Sequence, residues 1–201
     1  MTGRERSIAE CAPFHVGYRE SPVVIVGSAI GACLLLALAA QVRIPVPGTE
    51  VPMTLQLLAV LMIGFIFSAK SVVLALLGYL ALGAAGVPVF SPGSPGLWGP
   101  TGGYLVGFLP AALLVSLLRG PREAGLVRLL GAGAVGVTVV FACGIGWRIA
   151  WLVGDWRLAL QTGLSPFILK ATVELCLAAM LMKSIHRWRH RRRKIFSGRI
   201  K

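Results

Sequence analysis

Long apolar runs, separated by short polar or glycine- and proline-rich breaks, constrain this chain more than any other feature. A helix needs about 20 mainly apolar residues to cross the hydrocarbon core of a bilayer. Only 13% of the 201 residues are charged, about half the usual share in soluble domains. Six runs approach spanning length, at residues 23–42, 54–69, 71–87, 102–118, 128–152 and 165–183. The pattern predicts an all-α integral membrane protein with six transmembrane helices, the second and third forming a hairpin.

The distribution of basic residues predicts the orientation. Lys and Arg total 20 against 7 for Asp and Glu, and with the N-terminus inside, all but Arg43, Arg148, Arg157 and Lys170 lie on the cytoplasmic side. This matches the positive-inside rule. We therefore expect a multi-pass protein of the cell membrane with both termini cytoplasmic: an N-terminal arm at 1–22, a membrane domain at 23–185 and a basic tail at 186–201. The tail is expected to lie against anionic lipid, and no nucleic-acid partner is predicted.

Two glycine-containing segments imitate nucleotide-binding motifs without the context that those motifs need. Gly131, Gly133 and Gly136 match a dinucleotide fingerprint, but they lie inside an apolar helix with no preceding strand. Residues 64–71 resemble a phosphate loop, but no β-strand is predicted before them either. The three histidines fall in the predicted cytoplasmic arms, so no spanning helix supplies an imidazole base or metal ligand. The sequence predicts no cofactor, no metal and no catalytic residues, and any ATPase that drives transport must be another subunit.

Two ionisable residues lie inside the sixth predicted helix. Lys170 and Glu174 are four residues apart, so they share one helical face. An ionisable residue in a spanning helix is costly and marks a candidate functional site. The pair has two interpretations: an ion pair that neutralises itself, or a cavity open to the outside in which Lys170 binds an anionic ligand. A rival hypothesis gives the pair a catalytic role in an intramembrane enzyme or assembly factor.

Two irregular segments lie on the same predicted side as Lys170. Residues 43–53 contain three prolines, and residues 87–103 are dense in glycine and proline, with Phe90 and Trp98 between them. Such segments are not expected to form helices. Non-helical backbone at membrane depth is tolerated where protein or a cavity surrounds it. These loops therefore predict a cap over a pocket for a small anionic or amphipathic solute.

Two sequence blocks carry more specific motifs. The first, from Gln41 to Gln56, contains Ile-Pro-Val-Pro and Val-Pro-Met-Thr-Leu-Gln; the second, from Gly83 to Leu105, contains Gly-Val-Pro-Val-Phe and Gly-Pro-Thr-Gly-Gly-Tyr-Leu. Both resemble the BioY family, the biotin-specific S components of energy-coupling-factor transporters, in register over about residues 25–118. The resemblance implies a six-helix S-component fold that binds biotin from outside and releases it after docking on a transmembrane coupling protein with two ATPase subunits. Some members are thought to act without such a module.

The resemblance also implies roles for particular residues. Lys170 matches the Lys of a Pro-Gly-Asp-x-x-Lys segment and would pair with the biotin carboxylate. Phe167 stands where that segment has Asp, so Glu174, or alternatively Asp155, is expected to replace the carboxylate. Because the Asp is missing, a carrier for another vitamin, such as a lipoic-acid-like or thiamine-like solute, remains the alternative.

The predicted ligand-binding set has rings for the bicyclic part of biotin, groups for its ureido hydrogen bonds, and glycines for close backbone approach. Its members are Lys170, Glu174, Tyr104, Thr101, Gly102, Gly103, Trp98, Phe90, Gln56 and Arg43. Ala29, Cys33 and Ala37 on the first helix have the spacing of four that the resemblance implies for docking on the coupling protein.

Overall fold

The computed structural model describes residues 21–49, 51–121, 124–152 and 154–197, with side chains described as far as Trp188. Most of the predicted N-terminal arm and the last residues of the basic tail lie outside this range. The described chain forms seven α-helices and one hairpin of two short antiparallel strands, β1 Arg43–Ile44 and β2 Met53–Thr54. The helices are α1 Pro22–Gln41, α2 Gln56–Ile66, α3 Ala69–Ala84, α4 Gly102–Leu118, α5 Leu126–Trp151, α6 Trp156–Gly163 and α7 Ile168–Ser197. The six predicted helices are therefore confirmed, and α6 is an addition.

Serine caps begin the first helix and the second helix of the predicted hairpin. The Ser21 side chain accepts a hydrogen bond from the backbone N–H of Val24 and precedes Pro22 at the first position of α1, a residue suited to a helix start. Ser68 caps α3 in the same way through the N–H of Ser71. The Ser28 hydroxyl then donates to Ser71 Oγ at 2.7 Å and ties α1 to α3. Local capping thus sets the helix starts, and a polar contact between helices joins them.

The helices differ in their relation to bilayer thickness. Among the described residues, three segments are long and apolar enough to cross a membrane: Pro22–Gln41, Leu126–Trp151 and the run Trp156–Trp188. Helix α2 has only 11 residues, so it is about 16 Å long at 1.5 Å per residue. Most of α2 is buried by other helices, which lets extended backbone at its ends lie at membrane depth. The predicted segment at 54–69 was therefore longer than the helix.

Glycines bring α4 and α5 into close contact. A methyl group on Gly107 would lie 2.9 Å from Cys143 Cβ, and one on Gly136 would lie 2.6 Å from Cγ2 of Val115. Small residues permit this approach because no side chain separates the two backbones. Gly136, one glycine of the rejected dinucleotide fingerprint, is therefore a helix-packing residue. Large apolar side chains such as Val23, Leu34 and Leu38 are exposed on the outside of the bundle, as lipid contact requires.

Three connections lie at one end of the bundle, which we call the loop end, and their described residues are 42–49 with 51–55, 85–101, and 152 with 154–167. The last of these contains α6, where the sequence predicted only a loop. Asp155 caps α6 by accepting from the N–H of Leu158 at 3.0 Å. Thr162, near the end of α6, receives a hydrogen bond from buried Arg148 of α5 at 2.7 Å, and its carbonyl receives one from Thr49 of the first connection. Helix α6 is therefore held against both the bundle and the first connection.

Candidate functional site

A cavity opens at the loop end, between the hairpin, α2, α4, α5 and α7. Its volume of about 90 Å³ is several times what one ordered water needs. The wall is mainly apolar with a few polar groups, as expected for a site that binds a small molecule. It is lined by Val51, Pro52, Met53, Thr54, Gln56, Leu57, Phe90, Ser91, Ser94, Thr101, Tyr104, Leu105, Phe108, Val140, Phe141, Phe167, Lys170 and Ala171.

Lys170 is the only charged residue among the described residues of this wall. Its Nζ lies 2.6 Å from Oε2 of Glu174, and the side chains are 22% and 5% exposed. Glu174 does not line the cavity but lies one helical turn behind Lys170. The ion pair and the cavity, which the sequence offered as alternatives, are therefore both present. The ammonium group stands at the cavity wall with its counter-ion buried behind it.

Aromatic side chains from four segments of the chain form much of the apolar wall: the connection before α4, α4 itself, α5 and the 3₁₀ turn Ser165–Phe167. The Tyr104 hydroxyl donates to the carbonyl of Gly163 at 2.8 Å, which joins α4 to the end of α6. Its ring meets Phe141 edge to face, with centroids 6.3 Å apart. The Tyr104 ring also fills the space beside Gly144, where a methyl group would lie 2.2 Å from the ring. These contacts hold the Tyr104 ring in its place in the cavity wall.

A chain of hydrogen bonds fixes the polar side of the cavity. Gln56 Nε2 donates to Tyr79 Oη at 2.8 Å, and Tyr79 Oη donates to the carbonyl of Val89 at 3.1 Å. Gln56 Oε1 accepts from the Thr54 hydroxyl at 2.9 Å. Because both ends of the Gln56 amide are engaged, its main role in this structure is to position α2, α3 and the loop after α3. A ligand would meet an amide that already has partners.

Phe90 is positioned by a glycine. Its ring packs edge to face on Tyr79, with centroids 5.2 Å apart, and it covers Gly83 so closely that a methyl group there would lie 2.0 Å from Cζ of Phe90. Gly96, in the 3₁₀ turn Gly96–Trp98, lies against the same ring. Gly83 and Gly96, both within the second motif block, therefore leave room for the Phe90 ring in the cavity wall.

The structure separates the predicted ligand-binding residues into three groups. Lys170, Tyr104, Thr101, Phe90 and Gln56 line the cavity, and Glu174 lies behind it. Trp98 is 76% exposed, and Arg43 is exposed with its guanidinium donating to the Pro92 carbonyl, so neither lines the cavity.

Gly102 and Gly103 form the third group. Both are buried, and they face Leu97, Trp147 and the Cys143 carbonyl. They allow close packing between helices, where the sequence predicted an approach of the loop backbone to the ligand.

Most of the wall was not predicted from the sequence, and three of the missed residues matter most for a ligand: Phe141, Phe167 and Ser91. Phe141 lies in the middle of an apolar helix with no local signal. Phe167 was noted only as a departure from the family pattern, yet its buried side chain lines the cavity. Ser91 is 7% exposed, and its hydroxyl has no hydrogen-bond partner among the described residues. An unpaired buried hydroxyl is costly, so Ser91 is a polar group that a ligand can satisfy.

The fold is that of a known S component of a membrane transporter. It matches the crystal structure of the S-component for biotin from an ECF-type ABC transporter with a TM-score of 0.69, over 93% of this chain and 95% of that chain, at 20% identity. The chain belongs to the BioY family, whose model matches residues 17–191.

Two relatives agree with this assignment. The biotin transporter BioY of Thermotoga maritima is 35% identical over 69% of this chain and 82% of the relative. The biotin transporter BioY2 of Lactococcus lactis is 32% identical over 76% and 84%. Relatives of this family are named as transporters, so the predicted class, a transport protein and not an enzyme, is confirmed.

Proposed function

We propose that this chain is the biotin-binding subunit of a biotin uptake system, with Lys170 binding the valerate carboxylate. The position of Lys170, as the only charged described residue in the wall of an otherwise apolar cavity, carries the proposal. A charge-assisted hydrogen bond is strengthened when a site excludes water. Phe90, Tyr104, Phe141 and Phe167 offer the apolar surface for the bicyclic ring, and Ser91 and Thr101 the hydroxyls for its ureido group.

The proposed orientation places the loop end outside the cell and both termini in the cytoplasm. At the opposite end of the bundle lie Lys70, Arg119, Arg128 and Lys183, consistent with the positive-inside rule. At the loop end, Arg43 and Arg148 are engaged by the Pro92 carbonyl and the Thr162 hydroxyl. A local partner therefore accounts for Arg43, one of the four cations that the rule leaves outside, and in part for Arg148, whose Nε and Nη1 have no partner among the described residues.

Coupling to a transmembrane protein and two ATPase subunits is proposed from the family resemblance. In this structure the predicted docking residues turn inward: Ala29 is buried, and Cys33 and Ala37 are half-buried against the core. Gly27 and Gly31 instead lie on the exposed side of α1 with open space around them. A partner docking through the predicted stripe would meet only part of Cys33 and Ala37, whereas it can approach Gly27 and Gly31 directly.

Biotin binding to the detergent-purified full chain tests the proposed ligand. We expect saturable binding, and a ligand at a hundred times its dissociation constant should stabilise the protein by about 2.7 kcal/mol. Biotin amide, which lacks the carboxylate, should bind more weakly because it offers Lys170 no negative charge. If biotin does not bind at micromolar concentration while lipoate or another vitamin does, Phe167 has changed the ligand and the alternative carrier replaces this proposal.

Gly83→Ala is expected to weaken biotin binding about tenfold, although the residue itself does not line the cavity. The added methyl group would overlap the Phe90 ring, and relieving such overpacking costs about 1–3 kcal/mol. Titration of the purified variant with biotin measures the effect. Gly78→Ala on the same helix is the matched control, because it has open space and should bind like the wild type. Equal affinities for both variants would remove Phe90 from the binding wall.

A further inference from the structure

The Lys170–Glu174 pair is asymmetric with respect to the cavity. Lys170 lines the wall and can meet a ligand, whereas Glu174 is 4% exposed and lies behind it. Lys170 is the only partner of the Glu174 carboxylate within the described residues. Any ligand that takes the ammonium group therefore removes the interaction that compensates a buried negative charge.

The elements packed around this pair bring no replacement partner. Helix α2 contains no ionisable residue. On α5, Arg128 donates to the Leu118 carbonyl, and Cys143 packs against Gly107. Arg148 donates from Nη2 to Thr162, while its buried Nε and Nη1 have no hydrogen-bond partner among the described residues. The Tyr104 hydroxyl of α4, which lines the same cavity, donates to the Gly163 carbonyl. The 3₁₀ turn before α7 contributes Phe167. Arg148 does not line the cavity. Among the described residues of the wall and the carboxylate behind it, Lys170 and Glu174 are therefore the charged groups.

Binding of an anion changes this balance. With an empty cavity, the pair sums to zero charge. A carboxylate ligand that pairs with Lys170 leaves one negative charge in excess, either on Glu174 or on the ligand. An uncompensated charge in a water-poor interior costs several kcal/mol, and a carboxylate in that position usually takes up a proton.

We propose that the anionic ligand enters this cavity together with one proton, which Glu174 accepts as Lys170 changes partner from Glu174 to the ligand carboxylate. The inference rests on the proposed function, because it needs a ligand with a carboxylate. Hydronium or a buffer acid in the solvent supplies the proton: its bond to that proton breaks, an O–H bond forms on Glu174, and no covalent bond in the ligand or in Lys170 changes. Uptake of this ligand by the site is then a proton-linked step before any coupling subunit acts.

Isothermal titration of biotin into the purified full chain, in buffers of different ionisation enthalpy near neutral pH, counts the protons. We expect about one proton taken up per biotin. The affinity should correspondingly fall about tenfold per pH unit as the pH rises through neutrality, because binding is linked to proton uptake. Glu174→Gln removes the acceptor, so its proton count should be near zero and its affinity independent of pH.

Asp155→Asn is the matched control, since Asp155 is an exposed carboxylate that caps α6 away from the cavity. This variant should still take up about one proton. A wild-type count near zero, or a count of one that persists in Glu174→Gln, would overturn the assignment of the proton to Glu174. If Glu174→Gln does not fold, the number of protons taken up by the wild type and the pH dependence of its affinity still test whether binding is linked to proton uptake. Absence of biotin binding in the wild type would be a different result, because it contradicts the proposed function.

Discussion

Replacing Lys170 with alanine is expected to weaken biotin binding about tenfold to a hundredfold. A hydrogen bond to a charged group contributes about 1.5–3 kcal/mol, and each 1.4 kcal/mol corresponds to a factor of ten in the dissociation constant. The remaining cavity wall has no second charged side chain, within the described residues, that could take over the carboxylate. Equilibrium binding to the purified variant measures the loss.

Two further variants make this result specific. Lys70→Ala removes an exposed lysine at the opposite end of the bundle and should bind biotin like the wild type. The double variant Lys170→Ala, Glu174→Gln avoids leaving a buried carboxylate without its partner, so its weak binding would report the lost ammonium group itself. Wild-type affinity in Lys170→Ala would exclude Lys170 from the binding site.

Gly103→Ala is expected to destabilise the whole protein, by about 3 kcal/mol at the upper end of typical overpacking costs. The methyl group would lie 2.2 Å from Trp147 Cβ and 2.6 Å from the Cys143 carbonyl oxygen. The second contact is with backbone, so a side-chain rotation cannot relieve it. Thermal unfolding in detergent should show a melting temperature lower by roughly 6–12 °C.

Gly131→Ala provides the comparison, because that glycine of α5 has open space around it. Alanine favours a helix over glycine by about 1 kcal/mol, so this variant should melt at or slightly above the wild-type temperature. A melting temperature for Gly103→Ala equal to that of Gly131→Ala would show that α4 and α5 do not pack at the distance described.

The fold and the family could be predicted from the sequence, but the binding site could be predicted only in part. The apolar runs and the two motif blocks predicted an all-α membrane protein of the BioY family, which is confirmed. Trp98 and Arg43 were placed in the site because they lie in the right connections. Proximity along a loop does not decide which way a side chain points, and both are turned outward.

Helix α6 is an element that the sequence analysis missed. A local signal for it exists, since Asp155 is a good capping residue three positions before Leu158, but eight residues are too few to register as a membrane segment. Ser91 and Phe141 carried no signal of their own. Their place in the wall depends on where α3, α4 and α5 meet.

The sequence by itself determined the class of protein, because the bilayer directly constrains the length of apolar runs and the distribution of charge. It also marked Lys170 and Glu174, because ionisable residues are costly inside the membrane. The tertiary structure decided which side chains share the cavity, that the glycine pair at 102–103 serves helix packing, and that Glu174 is buried behind Lys170. Those outcomes depend on contacts between residues far apart in the chain. Helical spacing places two residues on one face, but the neighbouring helices decide which of them meets the ligand.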